Sequence, residues 1–409
     1  MAPPIVASVD LNAIMHNARM VRALVRPAGL CAVVKANAYG HGAAAAAHVL
    51  AAAGTDMFAV AAIEEAVDLR EAGIRAPILL FGALASSDVA EVLQHDVTAC
   101  VTDEPSAREL AGRARARHAQ ACVHVKVDTG MHRLGFDWET AAEAVLRLAG
   151  LEGLRVTGIF THYACADAAD PAVTEGQTRR FRSVLSRLEQ AGMALPLAHA
   201  ANSATVLRMP DARFDAVRPG LILYGMRPAA GMAPEVDLHP ALCLRTSVGY
   251  CRRVKRGEAL GYGHTFTAWR DSLIGVLPAG YADGYGRWFS NLGEVLVRGT
   301  RVPVVGRVCM DQTLVDLTDL PGVQPGEEAV LYGRQGDACI RVEDMAARVG
   351  TIPYELTCAV GRRVRREYVL NGMVVADAGR AASISADALE RLATLAAGTV
   401  HEHLPETPA

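Results

Sequence analysis

From residue 30 to about 220, short apolar runs of β character alternate with longer segments whose apolar positions recur at helical spacing. The runs are "LCAVVK", "MFAVA", "PILLFG", "VTACV", "CVHVKV", "VTGIF", "LPLAHA" and "FDAVRPG". Between them lie helical patterns such as "IEEAVDLREAG" (63–73) and "EPSARELAGRARARHAQ" (104–120). Eight strands alternating with helices predict an α/β fold, a closed parallel (β/α)8 barrel rather than an open sheet. After the Pro- and Gly-rich passage "MRPAAGMAPEVDLHP" (226–240) the period changes. "SLIGVLPAGYADG", "GEVLVRGTRVPVVGRVCM" and "EEAVLYG" are β-rich, and only "RVEDMAARVG" (341–350) reads as a helix. The chain thus divides into a barrel (1–235), a mostly β C-terminal domain (236–370) and a tail (371–409) with one possible helix, "ADALERLATLAAG".

A length of 409 residues agrees with two cores. A net charge of −3, no long basic run and few aromatic residues exclude nucleic acid and membrane surfaces as expected partners. The most apolar stretch, "GAAAAAHVLAAAG", is too short to span a bilayer and reads as an Ala-rich core helix. Nine cysteines without a CxxC pair suit reduced thiols, and the start "MAPPIVASVDLNAIMHN" does not read as a signal peptide, so a cytoplasmic location is expected. No metal site is expected; His401 and His403 in the tail lack an HExxH helix or cysteine partners.

The candidate chemistry sits where a barrel of this kind carries it, at the C-terminal ends of the strands. Lys35 ends the first run in "AVVKANAYGHG". Lys126 and Asp128 end "CVHVKVD", His162 ends "VTGIFTH", His199, Asn202 and Ser203 follow "LPLA", and Arg218 closes "FDAVR". Loops after the last two strands often bind phosphate through amides and a hydroxyl, and Ser203, Gly220 and the Leu221 amide offer these groups. A buried amine facing a phosphate pocket suggests a Schiff base with pyridoxal 5′-phosphate (PLP).

With these residues in place, the sequence resembles a known family. "AVVKANAYGHG", "KVDTGMHRLGF", "THYACAD", "HAANSAT", "RPGLILYG", "GYGHTF", "GYADGY", "GRVCMDQ" and "TIPYELTC" are similar, in order, to the motifs of alanine racemases. The resemblance covers roughly residues 5–370 and implies a PLP-dependent homodimer with shared active sites that acts on alanine and supplies D-alanine for peptidoglycan precursors. It implies that Lys35 carries PLP and is one catalytic base, with Tyr262 of the other subunit the second. Tyr39, Ser203, Gly220, Leu221 and Tyr354 would hold the phosphate, and His199 would lie near the ring. Arg133 would face the PLP phenolic oxygen and the substrate carboxylate, Met310 would help hold that carboxylate, and Tyr281 would narrow the entrance. Lys126 matches a position that is carbamylated in many members, where it would orient Arg133. The alternative within the family is a racemase of broader or serine specificity.

Racemisation removes a proton from one face of Cα and returns one to the other, so a single lysine does not suffice. A tyrosine with pKa ~10 needs nearby positive charge to act as a base at neutral pH, and Arg218 and His162 are the expected source. Arg218 opposite the pyridine nitrogen would donate a hydrogen bond without giving up its proton. Two departures from the family pattern stand beside these groups: His132 where glycine is usual, and Gly261 where serine is common.

Overall fold

A computed structural model describes residues 5–193, 197–229, 231–378, 387–392 and 394. All eight predicted runs contain strands of one sheet: Gly29–Val33, Met57–Val60, Ile78–Leu80, Thr98–Val101, Ala121–Asp128, Leu154–Phe160, Ala198–His199 and Ala216–Val217. Neighbours pair in parallel around the ring, Thr98–Val101 joins Ala121–Asp128, and Ala216 pairs with Gly29 to close the barrel. These strands are largely buried on both faces, Arg155 being an exposed exception, which explains why they read as continuous apolar runs rather than alternating ones. The helical patterns fold as Ile63–Glu71 and Glu104–Ala116. The latter begins where Asp103 accepts the Ser106 amide at 2.9 Å. The Ala-rich stretch is the helix Ala43–Ala52, which buries Ala45, Ala46, Ala47, Val49 and Leu50.

The C-terminal domain is mostly β, with helices at Val342–Val349 and, unforeseen from sequence, Pro353–Cys358. Its large sheet carries two corrections. Val6–Asp10, grouped with the barrel on sequence, is an inner strand here, antiparallel to Leu242–Ser247 and parallel to Arg365–Leu370. Val6, Ala7 and Val9 are all buried, so this segment needs cover on both faces and a partner on both edges. The stretch after 370 is not only a helical tail. Met373–Ala378 turns back on Arg365–Leu370 through Asn371 and Gly372, both at positive φ (52° and 74°), the requirement of a tight two-residue hairpin. Residues 387–392 of the expected tail helix are helical; His401 and His403 lie outside the described residues. One continuous apolar core runs from the barrel into the second sheet. No described helix is long and apolar enough to cross a membrane.

Candidate active site

Lys35 lies just past the strand Gly29–Val33, where the chain leaves the barrel by an unusual route. Ala36, Asn37, Ala38 and Tyr39 all have φ of 52–54°, a left-handed turn of four non-glycine residues. Each costs about 1–2 kcal/mol, so the surroundings must impose the shape. Glu65 accepts the Ala36 amide and also those of Ala61 and Ala62, the Asn37 side chain accepts the Ala43 amide at 2.8 Å, and buried Arg366 donates to the Gly40 carbonyl at 2.9 Å. The half-buried Lys35 amine has its pKa lowered by burial and then by the charge of Arg133, with Glu65 opposing.

The same turn delivers the Tyr39 ring to the mouth of the barrel. A Cβ at Gly220 would sit 2.3 Å from the Tyr39 hydroxyl, so only glycine fits there. The Gly220 amide donates to Ser203 Oγ at 3.1 Å, and Leu221 opens the 3-10 turn Leu221–Tyr224, whose first amides have no partner within the turn. Tyr354 lies 5.7 Å from Tyr39, ring to ring, and burial raises its hydroxyl pKa to about 12. Amides, hydroxyls and a glycine hollow converge here, the donor set an anion needs.

Arg218, buried in the barrel, is fixed by acceptors on two neighbouring strand ends. It donates to His199 Nδ1 at 2.7 Å, to the Thr161 carbonyl at 2.7 Å and to the Ala200 carbonyl at 3.0 Å, and lies 3.2 Å from His162 Nδ1. Burial lowers its pKa to about 10, which leaves it cationic at neutral pH. A guanidinium only donates, so His199 Nδ1 accepts, its Nε2 carries the proton, and His124 Nδ1 receives that proton at 2.8 Å. Burial and then the charge of Arg218 push His162 and His199 well below the usual imidazole range, and His124 down to about 4. His162 is therefore neutral near pH 7 and contributes no net positive field; this corrects the expectation that it shares that role with Arg218.

Lys126 points inward on the strand that carries His124, with Nζ 2.9 Å from the Val127 carbonyl and 5.4 Å from the Phe160 ring centre. Burial, then Arg218, lowers its pKa to about 8. Asp128 accepts the amides of Gly130, Met131 and His132 at 2.9–3.1 Å and so shapes the loop bearing Arg133. His132 has φ 53°, which accounts for glycine being the usual residue there.

Tyr262, Tyr281 and Met310 sit apart, on the C-terminal domain, with side chains 72%, 43% and 53% exposed. The Tyr281 amide donates to the Cys309 carbonyl and the Ala282 amide to that of Met310, both at 3.1 Å, so these two motifs share one surface. Arg363 braces them by bridging Asp283 and Asp311. Gly261 holds φ 66°, ψ −170°, a region essentially reserved for glycine, so this chain presents Tyr262 on a backbone that serine would strain.

The family profile "Alanine racemase, N-terminal domain" matches residues 9–228, and "Alanine racemase, C-terminal domain" matches 241–368. The chain belongs to the alanine racemase family. Among its relatives, an alanine racemase of Desulforamulus reducens is 44% identical over 377 residues, covering 90% of this chain and all of that one. Alanine racemase 2 of Caldanaerobacter subterraneus subsp. tengcongensis is 42% identical over 91% of this chain and 96% of its own. Among solved structures, the alanine racemase of Clostridium difficile 630 superposes with a TM-score of 0.88 at 33% identity, over 92% of this chain and 99% of that one. The Bacillus anthracis alanine racemase with bound L-Ala-P gives 0.85 at 34%, over 92% and 98%. Within this family frame, the structure gathers Lys35, Tyr39, Lys126, His162, His199, Ser203, Arg218, Gly220, Leu221 and Tyr354 around the barrel mouth. It adds His124, Thr161 and Glu65, which sequence reasoning passed over. For His124 a signal existed: it shares the inward face of its strand with Lys126 at i, i+2.

Proposed function

We propose that this protein interconverts L-alanine and D-alanine with PLP held on Lys35, as a homodimer whose active sites each draw on both subunits. The observation that carries this reading is the convergence of a half-buried lysine amine, a glycine-walled anion cradle and a locked arginine at one barrel mouth. These groups fit PLP: Ser203, Gly220, Leu221, Tyr39 and Tyr354 would hold its phosphate, His199 would lie near its ring, and Arg218 would donate to its pyridine nitrogen. When bound, PLP supplies an electron-withdrawing system that makes the substrate Cα proton removable.

The chain's own residues then move the proton. Lys35, with a lowered affinity for its proton, takes or returns it on one face of Cα. The partner subunit's Tyr262 serves the opposite face, which accounts for its exposure in a single chain. Arg218, which keeps its own proton, would donate to the pyridine nitrogen without protonating it, and this would disfavour transamination. Arg133 and Met310 would hold the substrate carboxylate, with Tyr281 at the entrance. Lys126, with its pKa near 8, has an appreciable neutral fraction, the form that takes up carbon dioxide to give the carbamate that would orient Arg133. Nine unpaired cysteines support a reducing, cytoplasmic setting, where D-alanine would feed cell-wall precursors.

Chiral chromatography of L-alanine and L-serine, each incubated with PLP-loaded enzyme, tests the reading. D-alanine formed far faster than D-serine is expected; the reverse ranking replaces alanine as the substrate, and no D-product refutes racemisation. Borohydride reduction and digestion should place the pyridoxyl group on the Lys35 peptide, and finding it on Lys126 would overturn the site.

A further inference from the structure

On the side of the molecule where the segment joining the two domains crosses the helix Leu11–Val25, three side chains converge. Among the described residues, His16, Asp237 and His239 are the group of His, Cys, Asp or Glu whose possible ligand atoms all lie within 4.8 Å of one another. His239 Nε2 is 3.1 Å and His16 Nε2 3.3 Å from the same oxygen, Asp237 Oδ2. The two imidazoles stack with centroids 3.9 Å apart and planes within 6°. His16 comes from the helix, and the other two from a loop more than 200 residues later.

Two polar side chains beneath the loop impose this meeting. Asn17, next to His16 and fully buried, accepts the His239 amide at 2.9 Å and donates to the His239 carbonyl at 2.8 Å, which fixes that backbone over the helix. Arg227 gathers the carbonyls of Met232, Ala233 and Val236 at 2.6–3.1 Å, so the loop presenting Asp237 is wound around one guanidinium. The Asp237 carbonyl also lies 3.1 Å from His16 Nε2, a second oxygen and a fourth donor atom in the same cluster.

We infer that His16, Asp237 and His239 form a binding site for a divalent transition-metal ion of the zinc class. Ligands at ~2.0–2.2 Å in a tetrahedral shell lie about 3.3–3.5 Å from one another, close to the spacing of these donors from Asp237 Oδ2. Two imidazoles and one carboxylate suit Zn²⁺ better than Mg²⁺ or Ca²⁺, which prefer oxygen alone. All three side chains are at least one-third exposed, so the rings are free to turn out of their stack toward a shared ion, with water completing the shell. An ion here would pin the interdomain segment to the first helix of the barrel. Its role is structural: none of the three residues is among those assigned to the reaction. No spacing motif links positions 16, 237 and 239, and only the tertiary fold brings them together.

The test uses full-length protein stripped with a chelator, desalted and titrated with ZnCl₂ by calorimetry. One Zn²⁺ per chain with micromolar affinity is expected, weakened at least tenfold in His16→Gln and in His239→Gln. It should be retained in Cys358→Ser and in His401→Gln/His403→Gln, which remove the exposed thiol and the tail histidines as competing ligands. Co²⁺ in place of Zn²⁺ should show visible ligand-field bands without a thiolate charge-transfer band. Zinc should also raise the melting temperature of the wild type but not of His16→Gln/His239→Gln. Absence of one-equivalent binding, or binding that survives loss of both histidines, overturns the site.

Discussion

The polar residues of the barrel interior act through their protonation states. Lys126 enters folding with an ordinary value of 10.5 and in the folded protein titrates at about 8. That difference corresponds to roughly 3 kcal/mol of unfavourable burial for the ammonium. Between those values unfolding takes up a proton, so stability rises with pH across the window, and the penalty is full below about pH 8. In carbon-dioxide-free buffer, Lys126→Met should be more stable than wild type at pH 7 by up to about 3 kcal/mol, with the gain fading toward pH 10.5. Melting curves across that range check it; a gain independent of pH would point to packing instead. His124 acts through a bond, accepting the proton that Arg218 forces onto His199 Nε2. His124→Leu leaves that N–H buried and unpartnered, which should cost about 1–3 kcal/mol, whereas in His124→Asn the amide oxygen replaces the acceptor and recovers most of it. Equal losses in urea titrations of the two variants would rule out this tautomer lock.

At the scale of elements, two short turns make the anion cradle from segments nearly 200 residues apart. The left-handed turn Ala36–Tyr39 brings the Tyr39 ring against Gly220, and the 3-10 turn Leu221–Tyr224 supplies amides on the other side. Tyr39 is buried and has no room to retreat. Gly220→Ala should therefore distort the hollow rather than unfold the barrel. PLP affinity, followed by the absorbance of the bound cofactor, is expected to drop at least about tenfold, an effect of the size that losing one or two good hydrogen bonds gives. Unchanged PLP binding with an intact circular dichroism spectrum would place the phosphate elsewhere.

For the whole molecule, the decisive question is where the second base comes from. Lys35 belongs to the barrel and Tyr262 to an exposed surface of the C-terminal domain. If each site pairs Lys35 with the partner's Tyr262, Lys35→Ala and Tyr262→Phe homodimers should both be nearly inactive. In a mixed dimer one site loses both bases and the other is whole. Random reassociation makes about half the dimers mixed, so about a quarter of wild-type racemase activity should return on remixing. Mixed dimers proven by mass spectrometry but without recovered activity would put both bases on one chain.

Periodicity alone determined the barrel: eight largely buried strands leave continuous apolar runs between helical patterns, a signal that needs no knowledge of what packs against what. The strand ends likewise exposed Lys35, Lys126, His162, Ser203 and Arg218, because polar residues closing apolar runs stand out locally. Other features were decided by contacts distant in sequence. Val6–Asp10 became an inner strand of the second sheet because its partners lie at 242–247 and 365–370. His162 lost its expected charge because burial beside Arg218 outweighs the intrinsic preference of an imidazole, and burial is a property of the packed molecule. His16, Asp237 and His239 met for the same reason: residue type is written in the chain, but the distance between side chains is set only when the domains close upon each other.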